Sequence, residues 1–593
     1  MNFIAANNKV FISYIDSQMK SMLKVIDLEI DGTTIKIDGF RIRKVPLISY
    51  NYSINWESFY SDTKAIVRFE PRIELISRQI ESMLRVIEVF AHGFPVIPTG
   101  FRLKELSQWR GKDENNQDPY FAILQYLSWM CSTNCAFCLH KNDPPGYYTK
   151  SKYGWKTRVE EIDTRLKYWD PEDGLGLFGK SEYNYFEMLT HPEFKKIAKK
   201  VRDKTDKIFN IITSGSFLSK DLIDFLCSIH PVLLGISLNS CSPSLRLSVM
   251  KDNAPETALK ALPYLRLKTM PFFVSLVTWH DIPVKDMIKT IKWSDQFEPY
   301  FIRINLDAHT RFSPFRKNLK SSLNRWKEIV STARELRKEI NTPILFQPAI
   351  FEERFFTKNR NRVIIDGVVK NSPAWNAGFK AMDEIISING VPIGFRNFAR
   401  HLLNSFYRAG IKELRIGIIR NGKTCIENIQ KTDFHCSYPY KSGNDPIFSP
   451  YGFLIRGGLD LDHIMQIKQA SEIHNAQTIL FLTSYLMKDS LEEMIKISGL
   501  FDYTDKRIFL EVPAHNFWGG DIMIGDLLIV DDFIDAIHAW VKNKSKNPDL
   551  VLIPSTSFNK WGRDIIGRNY LDIQKHTGIT TELIQCERIE SIN

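Results

Sequence analysis

The chain has 593 residues, 44% hydrophobic and 25% charged, with a net charge of +11. That length exceeds one ordinary core and predicts three or four domains at about 150 residues each. The composition excludes a low-complexity polymer. No apolar run reaches the roughly 20 residues of a membrane span, and the 8 Cys are too scattered for a disulfide framework. The opening residues, Met1 to Lys9, carry no basic region followed by an apolar stretch, so a reduced, cytoplasmic location is expected. The positive charge reads as a Lys-rich solvated surface and leaves a nucleic-acid partner open.

Residues 1–115 form a first domain to which no motif assigns a role. Thr33-Thr34-Ile35-Lys36-Ile37 alternates as a strand does and follows an Asp31-Gly32 turn. Arg72 to Phe90 has a helical pattern.

From 116 to 355, short apolar runs alternate with helical stretches. Tyr120–Leu127, Leu175–Phe178, Ile208–Thr213, Val232–Leu238, Phe272–Thr278 and Phe301–Leu306 read as strands. Ser219 to Ile229 reads as a helix, and so does Lys195 to Lys207, with Phe194, Ile197 and Val201 on its apolar stripe. Alternation of this kind predicts an α/β fold with a parallel sheet, curled as a partial (β/α)6 barrel. Ligands of such folds sit at the carboxyl ends of the strands.

Just past the first of these strands comes Cys131-Ser132-Thr133-Asn134-Cys135-Ala136-Phe137-Cys138. The C-x3-C-x2-C spacing lets one loop wrap three thiolates around one face of a [4Fe–4S] cube. Such clusters usually take four Cys, so three leave one iron open to a small molecule. A zinc site would want a fourth protein ligand, for which only His140 is near. The motif resembles the signature of the radical S-adenosylmethionine (SAM) superfamily. That resemblance implies that SAM binds the open iron and is cleaved reductively to a 5′-deoxyadenosyl radical.

The resemblance also implies which residues hold SAM. The superfamily places a Gly-Gly-Glu-like turn after its second strand, and here Phe178-Gly179-Lys180-Ser181-Glu182 follows Leu175–Phe178. Gly179 and Glu182 are therefore the expected cofactor residues. Glu187, in Glu187-Met188-Leu189-Thr190-His191-Pro192, is the rival for the glutamate. Thr213-Ser214-Gly215 resembles the superfamily's Thr-Asn-Gly turn, and Ser237 and Asn239 end the next strand, so Ser214, Ser237 and Asn239 complete the expected SAM contacts. Cys241 follows directly and is a candidate hydrogen-atom donor, against the plainer reading of a small buried residue. His280, Asp281, Asp307 and His309 follow the next two strands and are candidates for substrate contact or proton transfer.

After a polar linker at Thr357–Arg362, residues 360–430 resemble a PDZ domain of the bacterial type. The signature runs from Val368-Val369 through Ser372-Pro373-Ala374, Ala377-Gly378, Asp383-Glu384-Ile385 and Asn389-Gly390. The usual carboxylate-binding loop is not visible near Val363 to Val369. A second linker spans 431–450. The last domain, 450–593, alternates strand and helix and resembles the C-terminal part of the DUF512 family in Asn516-Phe517-Trp518-Gly519 and Leu552-Ile553-Pro554-Ser555.

Together these features lead to a radical SAM enzyme with a [4Fe–4S] cluster and SAM as cofactors and an external electron donor. Its expected substrate is a peptide or protein met through the PDZ-like unit by strand addition. The alternatives are a radical SAM enzyme acting on RNA and a non-catalytic iron–sulfur adaptor.

Overall fold

The computed structural model describes the backbone of three strands between 28 and 43, residues 124, 127–138, 154 and 156–168, and most of 186–584. Within that last span, 306, 314, 316–318, 348–351, 353–361, 433, 435–450, 457–460, 503, 526, 559–563, 565 and 567 are not described. The expected helix Arg72–Phe90, the strand Leu175–Phe178 and most of Tyr120–Leu127 lie outside the described residues. Strands β1 (Leu28–Asp31), β2 (Thr34–Ile37) and β3 (Phe40–Arg43) form an antiparallel meander in that order. The Asp31-Gly32 turn falls between the first two, as expected.

The barrel region begins with α1 (Val159–Tyr168) and α2 (Phe194–Arg202), the latter burying Phe194, Ile197, Ala198 and Val201 along one stripe. Five strands follow: β4 (Phe209–Thr213), β5 (Val232–Ser237), β6 (Phe272–Val277), β7 (Ile302–Asn305) and β8 (Ile344–Gln347). They pair in sequence order, all parallel. Helices α3 (Lys220–Ser228), α4 (Pro255–Leu267), α5 (Val284–Asp295) and α6 (Leu319–Leu336) make the crossovers. Ser219 caps α3 by accepting from the Leu222 N–H. Four of the expected strands are present within one residue of their ends. Strand β8 is not among the expected strands; its apolar run, Ile344-Leu345-Phe346, is too short to stand out by pattern.

In the PDZ region, β9 (Val363–Ile364) and β10 (Gly367–Val368) precede β11 (Glu384–Ile388) and β12 (Val391–Pro392). Asn389 and Gly390, both at positive φ (49° and 79°), make the tight turn between β11 and β12. Helix α7 (Arg396–Arg408) and the hairpin β13 (Glu413–Arg420) and β14 (Lys423–Gln430) complete the sheet β12-β11-β13-β14, with β9 on β11. Strand β10 pairs instead with β15 (Phe453–Leu454), supplied from beyond the second linker. Tyr451, Phe453 and Ile455 belong to the same core as Val363, Ile385, Leu403 and Ile416. Gly452 enters this strand at φ +91°, and a Cβ there would meet Ser372 at 2.2 Å.

A buried ion network ties the PDZ region to the barrel. Glu352 Oε1 accepts from Arg334 at 2.5 Å and Arg337 at 2.8 Å, and Asp366 stands 3.6 Å from Arg337 and 3.8 Å from Arg396. Arg337 also reaches the Ile344 carbonyl of β8, and Arg456 that of Phe346. Burial favours a neutral Glu352, yet Arg337 and Arg334 outweigh it and hold the carboxyl below its ordinary range. Burial pushes the Asp366 carboxyl up.

The last domain has α8 (Leu461–Ile473), β16 (Thr478–Leu482), α9 (Lys488–Ser498), β17 (Arg507–Glu511), α10 (Val530–Lys544), β18 (Leu550–Pro554), α11 (Leu571–Thr577) and β19 (Thr581–Ile584). Its parallel sheet has the order β17-β16-β18-β19. One sheet face packs on α10 and α11 through Leu482, Phe533, Ile537 and Ile573. The other joins the barrel: Ile464, Ile479, Trp518 and Ile524 share a continuous core with Ile236, Val274, Ile304 and Trp326. No helix among the described residues is long and apolar enough to cross a membrane.

Candidate active site

The cysteine loop is pinned from three sides. Asn134 and Ala136 donate their N–H groups to the Met250 and Val249 carbonyls (2.8 and 2.9 Å), and Glu187 donates to that of Met130 (3.1 Å). Phe137 packs on Trp279, past the end of β6, with ring centroids 6.1 Å apart. Cys131, Cys135 and Cys138 are all half-buried free thiols. The Thr133 hydroxyl bridges the first two, 3.3 Å from each sulfur. Burial, followed by the Glu187 charge, pushes the Cys131 thiol up to about 11. A thiolate there needs a compensating cation. Among the described residues no three Cys, His, Asp or Glu side chains converge as ligands of one metal ion. A cube differs in giving each thiolate its own iron.

Glu187 stands beside this loop, buried at 3% exposure. Its Oε2 accepts from the Ser214 N–H and hydroxyl, both at 2.8 Å, and from Ser132 at 3.5 Å. Ser132 and Ser214 are themselves 2.8 Å apart, so the loop, the end of β4 and Glu187 form one polar cluster. Burial pushes the Glu187 carboxyl up, opposed by Thr213, Ser214 and Ser132. Its Oε1 has no hydrogen-bond partner among the described residues. A buried, unpaired carboxylate oxygen costs about 1–3 kcal/mol or more, and a ligand ammonium would remove that cost. The three thiols and this orphaned acceptor therefore fit a [4Fe–4S] cluster carrying SAM.

Arg246, which the sequence did not single out, closes the cluster from below. It is fully buried and donates to Asp252 Oδ2 (2.9 and 2.5 Å), to the Ser214 carbonyl (2.8 Å) and to the Leu238 carbonyl (2.5 Å). Asp252 in turn accepts from the Ser216 hydroxyl at 2.7 Å. The guanidinium thus staples the ends of β4 and β5 beside the cysteine loop. Only its chain position, shortly after a strand end, could have flagged it.

The other expected residues divide. Gly179 and Glu182 lie outside the described residues. Ser214 sits in the cluster. Ser237 is half-buried, its carbonyl taken by Asn239 and Arg246. Asn239, at φ +57°, accepts from the Val277 N–H at 2.8 Å and braces β5 against β6. The Cys241 N–H donates to Thr290 on α5, toward the helix layer, and none of the described hydrogen bonds links Cys241 to the cysteine loop. Asp307 accepts from Thr278 (2.5 Å) and Trp326 (2.7 Å), a brace between strand ends and α6.

The model of the radical SAM superfamily matches residues 128–294, and that of the PDZ domain matches 355–429. Both matches end before residue 450, and neither bears out the DUF512 resemblance expected of the last domain. Members of the radical SAM superfamily bind a [4Fe–4S] cluster and SAM. No curated protein matches the chain. Among solved structures, Streptococcus suis SuiB bound to the precursor peptide SuiA is 14% identical, with a TM-score of 0.30, over 45% of this chain and 54% of that one. SuiB bound to S-adenosylmethionine is 14% identical, with a TM-score of 0.23, over 28% of this chain and 36% of that one. Methylornithine synthase (PylB) is 14% identical, with a TM-score of 0.25, over 37% and 62%. The chain thus spans between about a third and two thirds of these relatives' lengths. By its family match and its cysteine loop, the segment 128–294 belongs to the radical SAM superfamily, and 355–429 is a PDZ domain.

Proposed function

We propose that this chain is a radical SAM enzyme that modifies a peptide or protein substrate. When bound, the [4Fe–4S] cluster supplies the electron that cleaves SAM to a 5′-deoxyadenosyl radical. Cys131, Cys135 and Cys138 hold the cluster. Glu187 Oε1 accepts from the SAM ammonium, while Ser214 and Ser132 fix that carboxylate in place. Arg246 and Asp252 hold the strand ends that shape the pocket, and Phe137 and Trp279 shield its flank from water. The observation that carries the reading is the orphaned, buried Glu187 oxygen beside three half-buried cysteines at a strand end. Support for a peptide substrate comes from the PDZ domain, since such domains bind extended chains.

Anaerobically reconstituted protein is expected to hold about four iron and four sulfide, and with dithionite to convert SAM to 5′-deoxyadenosine. Cys135→Ala is expected to lose the iron and the product together. Stoichiometric zinc without iron would overturn the cluster assignment. Iron without nucleoside product would favour the adaptor.

A further inference from the structure

Beyond the end of β7, His309 is fully buried and held by the last domain. Its N–H donates to Asp521 Oδ1 at 2.6 Å, and its Nδ1 lies 3.1 Å from Asp521 Oδ2. The Ser322 hydroxyl donates to the same Oδ2 at 2.6 Å, and the Asp521 N–H returns a bond to the His309 carbonyl at 3.0 Å. A carboxylate only accepts, so Nδ1 carries the ring proton and a neutral ring leaves Nε2 as a bare acceptor. That Nε2 is buried with no partner among the described residues.

The turn that delivers Asp521 is the Asn516-Phe517-Trp518-Gly519-Gly520 run of the last domain. Gly519 and Gly520 both lie at positive φ (62° and 76°). A Cβ on Gly520 would come within 1.7 Å of the His309 carbonyl oxygen, so only glycine permits this approach. The Arg311 N–H donates to the Trp518 carbonyl at 2.7 Å, a second tie across the same seam. On its other side the His309 ring packs at a tilt of 33° on Trp279, centroids 5.1 Å apart, and Trp279 packs on Phe137 of the cysteine loop. His309 therefore stands one aromatic ring away from that loop, on the strand-end face where the chemistry is placed.

We propose that the His309–Asp521 pair is a substrate-binding element, completed by the last domain, in which Nε2 accepts a hydrogen bond from a peptide N–H of the substrate. Asp521 acts as a positioning residue that sets the ring's tautomer. The proposal rests on the enzyme reading above and gives the substrate's amide a place beside the radical site.

The test has two arms. In histidine-selectively 15N-labelled protein, with the His309 signals assigned by their loss in His309→Gln, Nδ1 is expected to be protonated and Nε2 bare. Asp521→Asn is expected to shift the proton to Nε2, as loss of a carboxylate orienter does in other imidazole–carboxylate pairs. A proton on Nε2 in the unaltered protein would overturn the proposal. In the second arm, a low-molecular-weight peptide extract of the source cells is the probe, and the excess 5′-deoxyadenosine it elicits is the readout. His309→Gln and Asp521→Asn are expected to lower that excess by about tenfold, the loss of one neutral hydrogen bond to the substrate, with iron content and thermal midpoint as fold controls. Folded, iron-replete variants that retain the excess would reduce the pair to a structural tie. Unaltered protein that makes no 5′-deoxyadenosine at all would instead bring down the enzyme reading.

Discussion

Replacing Glu352 by Gln tests whether the PDZ domain is fused to the barrel or merely tethered. The carboxylate sits at 6% side-chain exposure between Arg334 and Arg337, at 13% and 1%. With Asp366 and Arg396, the pocket holds three cationic and two anionic groups. The amide keeps the shape and the single oxygen, Oε1, that both arginines share, but it removes the negative charge that offsets Arg334 and Arg337. Removing one partner from a buried pair costs about 3–5 kcal/mol, and the retained acceptor places the expectation near the lower end, about 3 kcal/mol. Urea unfolding of the purified apoprotein, followed by Trp fluorescence, would measure it as an earlier midpoint. The effect also has a predicted sign with pH. A carboxyl held below its ordinary value stabilises above the unfolded pKa, near 4.5, and loses that contribution as pH falls through the lower folded value. The gap between the two proteins should therefore be full at neutral pH and close in acid. A midpoint unchanged within about 0.5 kcal/mol at neutral pH would refute the fused arrangement.

Glu187→Gln should weaken SAM binding to the reconstituted protein by tenfold or more, since a charge-assisted bond contributes about 1.5–3 kcal/mol. Wild-type affinity in this variant would return the glutamate role to Glu182. Gly452→Ala should destabilise the PDZ region by a few kcal/mol through its clash with Ser372 and its positive φ, read as faster proteolysis there. Asp532 and Asp564 are buried in the last domain, which raises their carboxyls to about 6. The folded state then holds more protons between about 4 and 6, so stability should fall as pH rises through that window, by up to about 3 kcal/mol per group. Asp532→Asn should flatten this slope, and an unchanged slope would count against the assignment.

The cysteine loop was legible because its spacing is local, and so were the strand-end positions of Ser214 and His309. The glutamate was harder. Chain proximity to an expected strand end favoured Glu182, which lies outside the described residues, while the burial of Glu187 and its three donors, one from Ser132 of the cysteine loop and two from Ser214 just past β4, could not be read from local sequence. Arg246 was missed because its partners, Ser214 and Leu238, are brought to it by parallel pairing. The bond from His309 to Asp521 spans more than two hundred residues, and no local pattern records such a distance. The linker reading at Thr357–Arg362 was drawn from polarity alone, which says nothing of the buried Glu352 just before it or of Asp366 just after.

Strand β15 has a consequence for how the chain is made. Synthesis runs from the N-terminus, and domains tend to fold as they emerge. Here the PDZ sheet cannot cover β10 when Gln430 leaves the ribosome, because its partner follows only after a polar stretch. Until Phe453 and Leu454 arrive, the nascent chain carries an unpaired edge, the kind of surface that recruits foreign strands. Ribosome-bound chains whose emerged part ends between 431 and 450 should therefore depend more on chaperones than chains in which Ile455 has also left the ribosome.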